Sequence, residues 1–157
     1  MAAPKLEEGV KLVAENRRAH FNYVVLESLE AGIQLQGSEV KSLREGSCNL
    51  SDAYALCTPK GEIVLHNVHI GQFKPAAAFA HLPTRGRKVL LHRSEIDKWS
   101  AKVRERGYSI VPLRVYFKHG RAKVLLGLCK GKAHEDRRQD IKERETRREM
   151  DREMRRR

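Results

Sequence analysis

The chain loses almost all of its apolar side chains after Cys129, and this break limits where a folded core can form. The last 28 of its 157 residues hold twelve basic and eight acidic residues. Their sizeable apolar side chains are those of Ile141, Met150 and Met154 alone. Such a segment cannot bury enough apolar surface to offset the entropy lost on ordering. We therefore predict one folded domain over residues 1–131 and a flexible charged tail over 132–157.

The body of the chain reads mainly as strands. Short alternating or β-branched runs separated by turn residues predict strands over 23–27, 33–37, 53–57, 62–66, 87–92, 108–117 and 122–129. Pro59 and Gly61 predict the turn of one hairpin, and His119-Gly120 predicts the turn of a second, longer one. Pro112 lacks an amide donor, so we expect it at a sheet edge or a bulge.

Two segments have helical periodicity. Ser94 can cap a helix over 95–106 that ends before Gly107, with Asp97 in the capping-box position. Ile96, Trp99 and Val103 fall on one face of this helix, which predicts that it packs on the sheet. A shorter helix is predicted over 38–43. Many short strands with few helices favour a mainly β fold, a small closed OB-like antiparallel barrel with two or three short helices and a basic, intrinsically disordered C-terminal tail.

The charge balance predicts a polyanionic partner. Lysine and arginine outnumber acidic residues 32 to 20, which gives a formal net charge of +12. Nucleic acid is the most common polyanion of the cytosol.

No apolar run approaches the roughly 20 residues of a membrane span, and the N-terminus lacks the apolar segment of a secretory signal. Three widely spaced cysteines fit neither a disulfide framework nor a paired zinc site. We expect a cytoplasmic protein that contacts no membrane.

No catalytic constellation is evident in the sequence. His66 and His69 are spaced as HxxH, but no third ligand lies nearby in sequence, so solvated side chains explain them better than a metal does. Cys57 lies within a predicted strand and lacks an evident histidine partner. Glycine-rich phosphate-binding motifs are also missing from the sequence. We predict a protein that is not an enzyme and needs no cofactor or metal.

Basic clusters at predicted strand ends and loops are the stronger signal, because a cation there can reach a phosphate without being buried. These clusters supply Arg17, Arg18, Arg85, Arg87, Lys88, Lys130 and Lys132 as candidate RNA contacts. In the tail, Arg144, Arg148, Arg152 and Arg156 recur at four-residue intervals, so a helix would align them in one basic ridge. A polyanion along that ridge would favour the helix, whereas the alternative is a solvated tail that aids solubility.

Several motifs, in order, resemble the SmpB family, the SsrA-binding proteins that partner transfer-messenger RNA. They are Asn16-Arg-Arg-Ala-His20, Glu30-Ala-Gly-Ile33, Leu35-Gln-Gly-Ser-Glu-Val-Lys-Ser-Leu-Arg44, Asn49-Leu-Ser-Asp-Ala-Tyr54, Pro83-Thr-Arg-Gly-Arg-Lys-Val-Leu-Leu-His92, Lys130-Gly-Lys132 and Asp140-Ile-Lys-Glu-Arg-Glu145. The resemblance implies an OB-like barrel that binds the tRNA-like domain of transfer-messenger RNA. The residues it implies as RNA contacts are Asn16, Arg17, Glu30, Leu90 and Lys123.

The resemblance also implies a role for the tail. In the family, the tail enters the empty mRNA channel of a stalled ribosome, folds into a helix and replaces the missing codon–anticodon duplex. The alanyl-charged RNA is then accepted together with elongation factor Tu, and the partners are the RNA and the decoding centre of the small subunit. The tail residues we assign to ribosome binding are His134, Asp136, Arg137, Arg138, Lys142, Arg144, Arg148 and Arg152. We expect a monomer.

Two tail positions depart from the family pattern. Ala133 stands where the family has a second lysine, and Glu135 stands where it has a residue able to stack on a decoding-centre base. Either His134 takes that stacking role through a shifted register, or Asp136, Arg137 and Arg138 alone make the contact. Two other readings remain: a general OB protein that binds single strands or assembles ribosomes, and a hydrolase with an unrecognised site.

Overall fold

A computed structural model describes residues 8–74 and 81–156, apart from the side chain of His134. The first seven residues, on which our expectation about export partly rests, lie outside these ranges. The elements in chain order are β1 (Val10–Glu15), α1 (Arg17–Asn22), β2 (Tyr23–Ile33), α2 (Gly37–Arg44), β3 (Cys48–Asn49), β4 (Tyr54–Cys57), β5 (Ile63–His66), β6 (His69–Ile70), β7 (Arg87–Leu90), α3 (Arg93–Arg106), β8 (Ser109–Lys118), β9 (Arg121–Gly131) and α4 (His134–Arg156).

The strands pair antiparallel, which confirms the mainly β class. One sheet has the order β1-β8-β4-β5-β7-β2-β9, and β9 pairs with β8 as well as with β2. The short strands β3 and β6 form a separate pair. Both predicted hairpins are confirmed, β4–β5 and β8–β9. Strands are predicted over 23–27 and 33–37, but a single strand β2 spans Tyr23–Ile33, and Gly37 already belongs to α2. The described part of the chain has four helices, one or two more than predicted.

Local backbone chemistry shapes the long β8–β9 hairpin. Its turn places both His119 (φ 50°) and Gly120 (φ 77°) in the left-handed region. A two-residue hairpin turn needs this backbone conformation for its twist to match that of the two flanking strands. Pairing between the strands shifts register between Pro112 and Arg114. Pro112 therefore lies beside a bulge, as its missing amide donor predicts.

Helix α3 covers one side of the core. Ile96 and Trp99 are buried and Val103 packs beside them, which confirms the predicted apolar face. The helix begins two residues before the predicted start. Its capping box joins His92 and Glu95 instead of Ser94 and Asp97, with the Glu95 carboxylate accepting a hydrogen bond from the His92 amide. A second, smaller cluster joins Ala19 of α1 to residues of β8 and β9: Val111, Leu113 and Cys129.

The tail differs from the prediction of intrinsic disorder, because residues 134–156 form helix α4. Charge spacing provides part of the reason. Asp140 and Glu143 lie four residues before Arg144 and Arg147, the orientation that stabilises a helix by a few tenths of a kcal/mol per pair. Contacts with α1 provide the rest. Lys132 forms an ion pair with Asp140 and also donates a hydrogen bond to the His20 carbonyl (2.9 Å).

Candidate nucleic-acid interface

A groove of about 650 Å³ opens where β7 ends and α3 begins, next to the β4–β5 turn. We call it the Leu90 groove, after an exposed leucine that lines it. Four of the predicted RNA contacts meet in its lining: Glu30, Lys88, Leu90 and Lys123. The Leu90 side chain is 53% exposed although it is apolar, so it offers contact area to a ligand and adds little to the core. The groove thus combines cations, an acceptor and an apolar surface.

Glu30 is held as a fixed, ionised acceptor in this groove. Its carboxylate accepts a hydrogen bond from the Tyr116 hydroxyl, and the Lys118 ammonium lies 3.6 Å away. The Tyr116 hydrogen bond lowers the pKa of Glu30 and outweighs the opposing effect of burial, with Lys118 and Lys123 adding to the lowering. An ionised carboxylate with spare acceptor positions can bind a base amino group or a ribose hydroxyl.

Helix α1 lies on the same outer face as Glu30. Glu30 and Leu125 are directly opposite in the β2–β9 ladder, so their side chains share one face. Leu125 in turn packs against the cluster that holds Ala19 of α1. Arg17 and Arg18 are exposed on this helix, and Arg18 forms only a loose pair with Asp52 (3.6 Å). One face of the sheet therefore connects the predicted cations of α1 to the groove.

Asn16 is buried, although an RNA contact is predicted for it. It is 3% exposed, its Oδ1 accepts from the Ala19 amide, and its Nδ2 donates to the Pro112 carbonyl (3.1 Å). It is the N-cap of α1 and ties that helix to the β8 bulge. Its side chain therefore fixes the start of the helix that carries Arg17 and Arg18, and a direct RNA contact by Asn16 stays a prediction.

Arg87 has partners within the protein for its guanidinium, although an RNA contact is predicted for it. It is fully buried, its Nε lies 3.0 Å from Oε1 of Glu39, and its remaining donors bind the carbonyls of Val68, Arg85 and Pro83. Arg85 binds the same carboxylate through two hydrogen bonds of 2.9 and 2.7 Å. In this structure protein groups surround the Arg87 guanidinium, and its assignment as an RNA contact stays a prediction. Arg85 is half-buried and mainly occupied with Glu39.

Lys130 and Lys132 both lie at the junction with the tail, but their surroundings differ. Lys130 is exposed near the end of β9. Lys132 turns towards α1 and α4, where the His20 carbonyl and Asp140 occupy its ammonium. In this conformation Lys132 connects α1 to the tail helix, and its role as an RNA contact stays a prediction.

The predicted tail residues lie on α4. Exposed side chains belong to Asp136, Arg138, Lys142, Arg144, Arg148 and Arg152. The Arg144 guanidinium also lies over the ring of Phe21, 5.3 Å from its centre, a cation–π contact with α1. Arg137 is half-buried, and among the described residues no hydrogen-bond partner faces its buried Nε. The place of His134 in stacking stays a prediction.

The sequence prediction missed some residues of the site. Lys60, in the β4–β5 turn, lines the Leu90 groove, and the only signal for it was a cation in an exposed turn. Phe21 and the His20 carbonyl, which meet the tail helix, were not predicted to contact it. Tyr116 and Phe117, two aromatic residues of β8, are buried. All three cysteines are free thiols, and burial raises the pKa of Cys48 and Cys129 to about 11.

Over residues 8–74 and 81–156, no helix has both the length and the apolar character needed to cross a membrane. The same residues contain no cluster of three histidine, cysteine or acidic side chains able to hold a metal ion. His66, half of the HxxH pair, stacks on the ring of Tyr54.

Comparison with known proteins identifies the family. The model of the SmpB protein family matches residues 13–156. The SsrA-binding protein of Myxococcus xanthus (strain DK1622) is 70% identical over 152 residues, which cover 96% of this chain and 93% of that protein. The SsrA-binding protein of Anaeromyxobacter sp. (strain Fw109-5) is 60% identical, with coverage of 96% and 90%.

A solved structure agrees with the sequence comparisons. It is described as "tmRNA-SmpB: a journey to the center of the bacterial ribosome", and one of its chains is 43% identical to this one, with a TM-score of 0.65. The match covers 77% of this chain and 85% of that chain. The motif series from residue 16 to residue 145, the mainly β antiparallel fold and these relatives lead to one conclusion: the chain belongs to the SmpB family.

Proposed function

We propose that this protein is an RNA-binding adaptor of trans-translation. It binds the tRNA-like domain of transfer-messenger RNA and delivers it to stalled ribosomes, where incomplete proteins receive a degradation tag. The observation that carries this proposal is the Leu90 groove, in which Glu30, Lys88, Leu90 and Lys123 meet. Cations that can reach phosphates, an ionised acceptor and an exposed apolar side chain suit a folded RNA surface.

The strand pairings support a closed barrel as the scaffold of this interface. Each of β8, β4, β5, β7, β2 and β9 pairs with two others of this set, and β8–β9 pairing joins its ends. We propose that this ring is an OB-like barrel and that residues 1–131 form the RNA-binding unit. Exposed cations on α1, at the groove and at Lys130 then lie on a rigid frame.

The tail has the second task in this proposal. Residues 132–157 leave α1, enter the empty mRNA channel and present one ridge of α4 to the small subunit, in place of a codon–anticodon duplex. Arg144, Arg148 and Arg152 recur every four residues on this helix and would face ribosomal phosphates together. Elongation factor Tu would join through the shared RNA. The protein would act as a cytoplasmic monomer, without a cofactor and without a catalytic step of its own.

Salt dependence of RNA binding tests which face contacts the RNA. Lys123→Ala or Arg17→Ala should weaken binding to the tRNA-like domain and reduce the slope of log K against log salt by roughly one unit each, if each side chain neutralises one phosphate. Arg104→Ala is the control, because Arg104 is also cationic and is exposed, but it lies near the far end of α3. Titrations of labelled RNA at four salt concentrations give the slopes. Unchanged slopes for both groove-face variants would mean that the RNA binds elsewhere.

A further inference from the structure

The Leu90 groove has a side that neither the motif series nor the proposed contacts include. It is formed by the β4–β5 turn and the first residue of α3, and it brings Lys60 and Arg93 to the groove. We infer that these two side chains bind a backbone phosphate of the RNA in the groove, and that Gly61 positions Arg93 for this task. The inference rests on the proposed function and adds a phosphate subsite to it.

Gly61 allows an unusually close approach between a guanidinium and a turn. Its φ of +77° lies in the left-handed region, and a Cβ built on it would come within 2.5 Å of Nη1 and 2.8 Å of Cζ and Nη2 of Arg93. Any other residue would have to move the guanidinium aside. Arg93 Nη1 also donates a hydrogen bond to the Gly61 carbonyl (3.5 Å). The guanidinium therefore lies against the backbone of the turn, which only a glycine permits.

Arg93 is oriented but not buried. Its Nε lies 3.2 Å from Oδ1 of Asp97, one turn further along α3, and its side chain is 69% exposed. A guanidinium carries five N–H donors, so the contacts with Asp97 and Gly61 leave capacity for a bidentate phosphate contact. A side chain already held in one orientation loses less entropy on binding than a free one. Arg93 is thus a prepared cation at the edge of the groove.

The acidic residues of the groove do not neutralise the charges of Lys60 and Arg93. Each has a donor of its own: Glu30 accepts from Tyr116, Glu62 from Lys88 (2.8 Å), and Glu95 from the His92 amide (3.2 Å). Lys60 stands next to Gly61 in an exposed turn. A phosphate bridging Lys60 and Arg93 would therefore meet two cations on one short stretch of surface, while the base or ribose of the same nucleotide lies towards Leu90 and Glu30.

Two glycines with the same backbone conformation allow a controlled test. Gly61→Ala keeps the net charge but displaces the Arg93 guanidinium. Gly120→Ala imposes the same strain, because its φ is also +77°, but nothing lies within 4 Å of its added Cβ. We expect Gly61→Ala and Arg93→Ala each to weaken binding of the tRNA-like domain, and Gly120→Ala to leave it unchanged. The double variant should bind no more weakly than Arg93→Ala alone, because both changes remove one contact.

The salt slope gives a second readout that does not depend on the glycine variants folding well. Arg93→Ala and Lys60→Ala should each reduce the slope by roughly one unit. If the wild-type protein prefers the tRNA-like domain over ordinary tRNA while Arg93→Ala keeps the wild-type slope and affinity, the phosphate subsite is refuted and the proposed function stands. A wild-type protein without that preference would instead refute the proposed function.

Discussion

Glu39→Gln is expected to lower the free energy of unfolding by about 3–5 kcal/mol, the usual cost of removing one partner of a buried ion pair. Glu39 is fully buried in α2 and joins that helix to Arg85 and Arg87. The amide of glutamine is similar in size but carries no charge, so the buried Arg87 guanidinium would be left uncompensated. Urea unfolding monitored by Trp99 fluorescence measures the change.

The matched control is Glu62→Gln, which removes the same charge from an exposed pair. Glu62 and Lys88 lie 2.8 Å apart, but both side chains are substantially exposed, so the expected loss is at most about 1 kcal/mol. Equal losses for the two variants would contradict the structural role assigned to Glu39. The difference between the two losses shows how much of the stability depends on the burial of the Glu39 pair and not on the removed charge alone.

Stability should also depend on pH through Glu39. Burial alone would raise the pKa of this carboxyl, but hydrogen bonds from Arg85 and the Gln36 amide, with the charge of Arg87, hold it below its ordinary value. A group whose pKa is lowered by folding contributes stability at pH values above its unfolded pKa. That contribution is lost as the pH falls through the folded pKa. In Glu39→Gln this part of the decrease in unfolding free energy at low pH should be missing.

Removing residues 133–157 is expected to abolish tagging on stalled ribosomes while leaving affinity for the isolated tRNA-like domain nearly intact. The proposed RNA contacts at α1 and the groove precede this segment, and the Lys132 amide, which donates to the Asn22 carbonyl, is retained. A reconstituted translation system with transfer-messenger RNA gives the tagging yield, and RNA titration gives the affinity. Tagging at the wild-type level by the truncated protein would refute the two-part mechanism.

Ile141→Pro in the full chain serves as the companion variant. It keeps the length and charge of the tail but interrupts α4, at a cost of about 3 kcal/mol for a proline inside a helix. Ile141 is exposed, so the change should not disturb the sheet or its core. Loss of tagging here would assign the role to the helix. Retained tagging would show that charge alone is sufficient.

The local signals in the sequence predicted much of the fold. Turn residues defined both hairpins, Pro112 indicated the bulge, and the spacing of Ile96, Trp99 and Val103 predicted the apolar face of α3. Strand β1 and helix α1 were not predicted. Helix α1 has only six residues, too short for periodicity to be visible, and its N-cap bonds to the β8 bulge far along the chain.

The limits of the site prediction have a physical cause as well. A motif shows which residues occur, but the side a strand residue faces depends on its register. Arg87 and Lys88 are adjacent in β7 and point to opposite faces, so one is buried against Glu39 and the other lines the groove. The tail was predicted to be disordered because its apolar content is low. Its docking depends on Lys132, Phe21 and the His20 carbonyl, which come from outside the tail helix.

Competitive binding at one near-physiological salt concentration tests the central claim most directly. Labelled tRNA-like domain of transfer-messenger RNA, bound to the full-length protein, would be challenged with unlabelled tRNA-like domain, ordinary tRNA and an unrelated hairpin. A dedicated adaptor predicts a preference of at least about tenfold for the tRNA-like domain, equivalent to about 1.4 kcal/mol. Equal competition by all three RNAs would contradict the account, and would identify the groove and its cations as a general RNA-binding surface.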